Sequence, residues 1–472
     1  MTLTLLSAFC ILAAPAQPEV TVYNQGFALV KESRNLSLKS GQQLISIEDV
    51  AAQIETNSVG IYNATDPNGF QVLEQNYQYD LINAASILNK AVGKRITFHK
   101  ILPNGAKETV VGILMSAPSA VVSDQYGNNR STYNGMVIKT DDGRILLNPT
   151  GEIEVDKIPE GMISKPTLVW DVIAGKAGAN NIVISYLTKG MNWNADYVLT
   201  LNGAGAADLR GWVTMTNNSG ATFKNAKLKL LAGDVNRVNR QPVMRSLGVR
   251  AKGMASDKKV FSEETLFEYH LYSLQRPATL KDKEIKQLSL LEGMGIKFEK
   301  KLIIDSMRDY GMYYPSEGEV GTGNLKPQVR VEFVNSKENN LGMPMPKGTI
   351  KVYQRDKSGS VQMLGEDQID HTPKDEKISL AIGRSFDVVG ERKRTNFTRL
   401  TPRSFRESFE IEVRNRKETS ETVHVYERHY GDWKVTQKNM DFKKLDSITM
   451  DFVVALKAGE SKKVIYTVET KW

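Results

Sequence analysis

Val213-Thr214-Met215-Thr216-Asn217-Asn218-Ser219 alternates apolar and polar side chains and then enters an asparagine corner. The same pattern returns at Val331-Glu332-Phe333-Val334-Asn335-Ser336-Lys337 and at Ile411-Glu412-Val413-Arg414-Asn415-Arg416-Lys417. Successive side chains of an extended strand point to opposite faces, so a period of two marks a strand with one face on a core and the other in water. Asparagine suits such a corner because it tolerates left-handed backbone and bonds its own turn. Further alternation follows the corners, as at residues 226–231 and 422–426. Antiparallel β-sandwiches are the natural container for this repeat.

The same grammar extends through the chain. Phe27-Ala28-Leu29-Val30, Leu44-Ile45-Ser46-Ile47, Ile182-Val183-Ile184-Ser185-Tyr186 and Val464-Ile465-Tyr466-Thr467-Val468 all read as strands bounded by turn residues. The fold class expected is therefore all-β, with several β-sandwiches in series. One helical stretch interrupts it at residues 79–90, where Leu81, Ala84, Ala85 and Leu88 share a face. Short strands at 94–99, 109–115, 120–123, 136–140 and 144–147 follow, with Asp141-Asp142-Gly143 as a tight hairpin turn. Gly112, inside a long strand, is placed to permit a bend. A helix with five bent strands predicts an inserted small barrel of SH3-like or Sm-like type. The expected units are an N-terminal sandwich (19–79 completed by 160–189) carrying the barrel and its leading helix (80–159), a central sandwich (190–324) with a mobile loop at 237–259, and a C-terminal sandwich (325–472). Residues 267–304 can supply strands to either side of the last boundary, and 310–326 is glycine-rich.

Composition supports a soluble globular protein: 40% hydrophobic and 25% charged residues leave enough apolar material for cores. Residues 1–17 form the one strongly apolar stretch and contain the single cysteine, Cys10. They read as a secretory signal peptide, with small residues at Ala14-Pro15-Ala16 for cleavage, although no Lys or Arg precedes Lys31. Cleavage would leave no thiol, which removes disulfides, thiolate metal sites and cysteine nucleophiles. No later apolar run reaches the roughly 18 residues of a bilayer span. The expectation is an exported protein, periplasmic or at the cell surface. Its net charge of +8 suits contact with anionic envelope polymers, and equally a surface tuned for solubility.

Four motifs carry a resemblance. They are Tyr186-Leu187-Thr188-Lys189-Gly190-Met191-Asn192-Trp193-Asn194-Ala195-Asp196-Tyr197, Gly211-Trp212-Val213 with the corner that follows, Ala232-Gly233-Asp234-Val235, and Gly383-Arg384-Ser385-Phe386-Asp387-Val388-Val389-Gly390-Glu391-Arg392. In this order they resemble the bacterial family called domain of unknown function 4139, which has mucoidy-inhibitor-like relatives. The resemblance implies an exported β-rich bacterial protein and brings no catalytic residues with it. Physically the motifs read as architecture. Trp193 and Tyr197 share a strand face and can cover one core. Gly383 and Gly390 bracket a strand-like Phe386-Asp387-Val388-Val389.

Chemistry is sparse. His99, His270, His371, His424 and His429 show no metal-ligand spacing, and His424 and His429 point to opposite faces of a regular strand. Glu366, Asp367 and Asp370 beside His371 offer oxygen ligands for Ca²⁺ but without the ordered spacing of a calcium loop. No nucleophile elbow, phosphate loop or dinucleotide fingerprint is present. No cofactor, metal or nucleic-acid partner is expected. The most suggestive charged element is Arg392, Lys393, Arg394, Arg399, Arg403 and Arg406, six cations in fifteen residues interrupted by Phe397 and Phe405. They read as an electropositive hairpin for an acidic polymer, or as a solvated face balanced by Glu391, Glu407, Glu410 and Glu412. The function expected is a non-catalytic envelope or surface role, structural or binding through sandwich units. The alternatives are acidic-polysaccharide binding by the basic hairpin, and a glycan-active hydrolase whose paired carboxylates would meet only in space.

Overall fold

The computed structural model describes residues 17–102, 105–117, 119–123, 129–133, 135–202, 205–237, 261–305 and 322–472. The expected signal peptide up to residue 16, the loop at 238–259 and the glycine-rich stretch up to 321 lie outside the described residues. The chain is all-β, with several separate sheets and one α-helix among the described residues.

Strict alternation is clearest in Met191–Leu201, where every second residue from Met191 to Leu201 is buried. Trp193 and Tyr197 both face the core, as their spacing predicts, and the Tyr197 hydroxyl donates to the Pro346 carbonyl at 2.8 Å. That strand pairs with Ala206–Asn217 and, in parallel, with Gly348–Arg355. Glu284–Lys297 and Val361–Ile369 complete this five-stranded central sheet. Gly348–Arg355 and Val361–Ile369 thus cross the expected division at 325.

The N-terminal sandwich opposes a large sheet to a three-stranded one made of Gly41–Glu48, Thr167–Ala174 and Phe70–Gln78. Val30 and Ile184 meet Ile45 and Trp170 in its core. The large sheet contains Phe27–Leu38 and Gly178–Lys189, and Glu19–Tyr23 joins it to Phe223–Ala232 by parallel pairing. Residues numbered in the expected central unit therefore extend the N-terminal sheet. One continuous apolar core runs through both and reaches Val331, Phe333, Ile378 and Leu380.

The C-terminal sandwich packs the sheet containing Glu299–Asp305, Glu421–Arg428 and Thr449–Leu456 on the sheet containing Val388–Thr401, Ser404–Asn415 and Ser461–Lys471. Leu302, Val425 and Phe452 face Phe409, Ile411 and Val464 across its core.

The three asparagines of the repeat have a common role that is stronger than a turn preference. Asn217, Asn335 and Asn415 are all buried, and none has the positive φ that the corner reading allowed. Each instead latches a strand end to a neighbouring loop. The Asn415 amide donates to the carbonyls of Thr419 (2.8 Å) and Lys457 (3.0 Å), while its oxygen accepts from the Lys417 amide at 3.1 Å. Asn335 does the same with Met343, Pro373 and Gly342, and Asn217 with Ala221, Lys281 and Ser219. A side chain with two donors and an acceptor satisfies backbone groups that would otherwise be buried unpaired.

The insertion differs from expectation in two places. Its helix is Ala84–Ala91, shorter than 79–90, because extended Asn83 caps it by accepting from the Ser86 amide. Its five-stranded sheet runs Ile145–Leu147, Val137–Thr140, Lys107–Ser116, Arg95–Ile101, Gly151–Glu154. The segment expected at 120–123 pairs instead with Asn129–Tyr133 in a separate ribbon, and Gly151–Glu154 takes the fifth place. Ile153 packs on the core of Ile96, Phe98 and Leu114, and Glu152 and Glu154 on its flanks pair with Lys107 and His99. The two outermost strands are not paired to each other among the described residues. Gly112 does mark a constraint: a Cβ there would lie 2.4 Å from the Lys139 carbonyl oxygen.

Candidate functional site

The six cations of the basic segment lie on the hairpin formed by Val388–Thr401 and Ser404–Asn415, and their positions along the first strand divide them. Val388, Gly390, Arg392 and Arg394 share one face by the period of two, and that face is the core of the sandwich. Arg392 is buried, and its guanidinium meets the Glu427 carboxylate at 3.0 Å (Nε to Oε1) and 2.7 Å (Nη2 to Oε2). It also lies 4.0 Å from the centre of the Phe409 ring. Arg394 pairs with Glu407 at 2.9 Å, with side chains 4% and 2% exposed, and stacks over Phe397.

Behind Glu427 the polar network continues. The Tyr466 hydroxyl donates to Glu427 Oε2 at 2.5 Å, and His429 Nε2 lies 3.0 Å from the same hydroxyl. Because the one Tyr466 proton is committed to Glu427, His429 must donate from Nε2. Burial pushes His429 down to about 4, with Arg392 adding to the depression and Glu427 opposing it, so the ring is neutral at pH 7. For Glu427, burial disfavours the charge, but Arg392 and the Tyr466 hydroxyl outweigh it and hold the carboxyl below its usual range. Glu407 goes the other way, because burial raises it more than Arg394 draws it down. These carboxylates are sealed and committed to arginines. Glu427 ties the two sheets together through Arg392, Glu407 joins Arg394 between neighbouring strands of one sheet, and neither offers a substrate access.

The remaining cations face water. Lys393 pairs with Glu391, and Arg406 with Glu469. Arg399 and Arg403 are exposed at the hairpin end. Exposed Leu400 and Trp472 stand beside them, the Trp472 amide donating to the Arg403 carbonyl at 2.9 Å. The surface that remains from the basic segment is therefore a tip of two arginines with a leucine and a tryptophan.

The other sequence candidates disperse into structural contacts. Asp367 accepts from the Ala381 amide at 2.7 Å, and His371 lies at the amide of Lys347, so the acidic run is divided between partners. Among the described residues no group of three His, Cys, Asp or Glu side chains is arranged to hold a metal ion. His424 pairs with Asp451, His270 with Glu263, and His99 with Glu154. Phe386 and Asp387 form an exposed turn between two strands rather than a strand, because Lys377–Arg384 ends before them and Val388–Thr401 begins after. The buried Arg392–Glu427 pair was missed by reading charge as solvent exposure. Its signal was parity: Glu407 falls in step with Phe405 and Phe409, and Glu427 with Val423 and Val425.

In comparisons with known proteins, no family model matches the chain and no curated protein is similar to it. Among the described residues no helix is long and apolar enough to cross a membrane.

Proposed function

We propose that this chain is an exported, non-catalytic protein of the bacterial cell envelope or surface, working as a β-sandwich scaffold that binds an envelope polymer or protein through the tip of its C-terminal hairpin. The observation that carries this reading is the division of the basic segment. Arg392 and Arg394 are consumed in the core, whereas Arg399 and Arg403 are presented together with Leu400 and Trp472. Cations beside exposed apolar groups suit a partner that is anionic and has apolar faces, as acidic sugars do. The apolar first seventeen residues support export, and the ordered motifs from 186 to 392 support kinship with the family called domain of unknown function 4139.

Acidic-polysaccharide binding is the specific form of this role that the tip favours. The experiment is binding of the purified protein to isolated bacterial envelopes and to a soluble acidic polysaccharide across a salt series, with Arg399 and Arg403 reversed in charge. Two exposed arginines predict a salt-sensitive interaction that the variant abolishes.

A further inference from the structure

The solvent side of the five-stranded central sheet carries an exposed tryptophan, Trp212, 38% accessible. It belongs to the Gly211-Trp212-Val213 motif, and the parity that buries Val213 and Met215 turns Trp212 and Thr214 toward water. Gly211 is required on the inner side, because a Cβ there would stand 3.0 Å from Cδ1 of the buried Tyr197 ring. A bulge falls at the same point. Gly211 pairs with Leu291 and Trp212 with Ser289, which leaves Leu290 as an extra residue. Bulges of this kind re-aim a side chain beside a functional surface.

Strand register sets polar groups around the indole. Asp196 lies opposite Trp212 on one neighbouring strand and Ser289 on the other, and Asn194, Thr214 and Gln287 form the next row. Gln287 Nε2 donates to Thr214 Oγ1 at 3.2 Å, and that hydroxyl donates to Asp196 Oδ2 at 2.6 Å, so a relay fixes the carboxylate beside the ring. Asn194 is exposed and offers both a donor and an acceptor. The charge nearest Trp212 is thus a carboxylate, while Arg210 in the following row is already paired with Glu292 at 2.9 Å. An acidic polymer would be repelled here. An uncharged polyol would find an apolar ring face for its C–H groups and fixed polar groups for its hydroxyls.

We propose that this face binds an uncharged polysaccharide chain, with one sugar ring stacked on Trp212 and its hydroxyls bonded to Asp196 and Asn194. Three strands span about 10 Å, and an open face of that extent suits a chain lying across it rather than one enclosed sugar. The site is separate from the hairpin tip, whose partner is acidic, and stands without that reading.

The test is calorimetric titration of the purified protein with cellohexaose, maltohexaose and N-acetylchitohexaose, and with an oligogalacturonate as the acidic counterpart. Saturable binding of at least one uncharged chain is expected, with none of the acidic one at this face. Trp212→Ala should weaken that binding about tenfold or more at unchanged melting temperature, whereas Trp212→Phe keeps a ring face and should retain most of it. Asn194→Ala, at an exposed side chain, should weaken it severalfold. Salt should have little effect, because no net charge is exchanged, and an Arg399→Glu/Arg403→Glu variant should bind the uncharged chain as the native protein does. Binding of none of the three chains, as a face that docks another protein would give, overturns the proposal. So does binding that Trp212→Ala leaves intact, or binding that the hairpin-tip variant abolishes.

Discussion

Arg392 and Glu427 form a fully enclosed ion pair between the two sheets of the C-terminal sandwich, with side chains 3% and 0% exposed. Taking both charges from water is costly, and the pair stands because three of its contacts are charge-assisted hydrogen bonds and Tyr466 supplies a fourth. Removing one partner leaves the other charge buried alone. Glu427→Gln should cost about 3–5 kcal/mol in urea unfolding. The double variant Arg392→Met with Glu427→Leu should cost less than either single change, and additive losses would show that the two residues do not act as a unit.

Charge reversal along the hairpin should separate core from surface. Arg394→Glu places a second carboxylate against Glu407 in a buried site and should cost several kcal/mol, of the order seen for broken buried pairs. Arg399→Glu, at an exposed position, should stay within about 0.5 kcal/mol. Thermal melts of the two variants read the difference directly.

Acid should destabilise this sandwich through His429. Its folded pKa is about 4 against an ordinary 6.5, so below pH 6.5 the unfolded chain binds a proton that the folded chain refuses, and stability falls as pH drops from 6.5 toward 4. The full contribution is about 3 kcal/mol. Glu427, held low, adds loss in the same direction at lower pH, whereas Glu407, held high, favours the fold in acid and loses that contribution as pH rises. His429→Gln isolates the histidine by keeping a donor for Tyr466. Its decline from pH 6.5 to 5 should be shallower than that of the native protein, the remainder belonging to His371, which burial also holds below its ordinary range.

The asparagine latches should not tolerate an isosteric acid. Asn415→Asp replaces the donating amide with an oxygen facing the carbonyls of Thr419 and Lys457. A loss of about 2–3 kcal/mol is expected from the unpaired buried groups, with similar losses for Asn217→Asp and Asn335→Asp. Denaturant midpoints of the three variants check this. A change below about 0.5 kcal/mol would reduce the latches to ordinary turn residues.

The all-β class was legible because alternation is local, and Trp193 and Tyr197 fall on the face their spacing assigns. The repeated asparagines were visible as a pattern, but their latching role depends on carbonyls up to 64 residues away, as between Asn217 and Lys281. Sheet membership was less accessible. The parallel pairing of Glu19–Tyr23 with Phe223–Ala232 joins segments two hundred residues apart in order, and nothing in either strand names its neighbour. The fifth strand of the insertion was overlooked because Gly151–Glu154 has one apolar residue, Ile153, whereas the more apolar Ser119–Ser123 pairs elsewhere. At the candidate site, the cluster of cations was read by composition, but its division was written in parity. Arg392 and Arg394 continue the inward face begun by Val388, and Glu407 and Glu427 interrupt otherwise apolar inward faces.

The most direct measurement is cosedimentation of the purified protein with isolated bacterial envelopes from low to high salt, beside an Arg399→Glu/Arg403→Glu variant. Binding that declines steeply with salt and is lost in the variant, with its melting temperature retained, is the predicted result. Binding that the variant and high salt both leave intact, or no binding at any salt, would contradict the assignment of the hairpin tip as the contact surface.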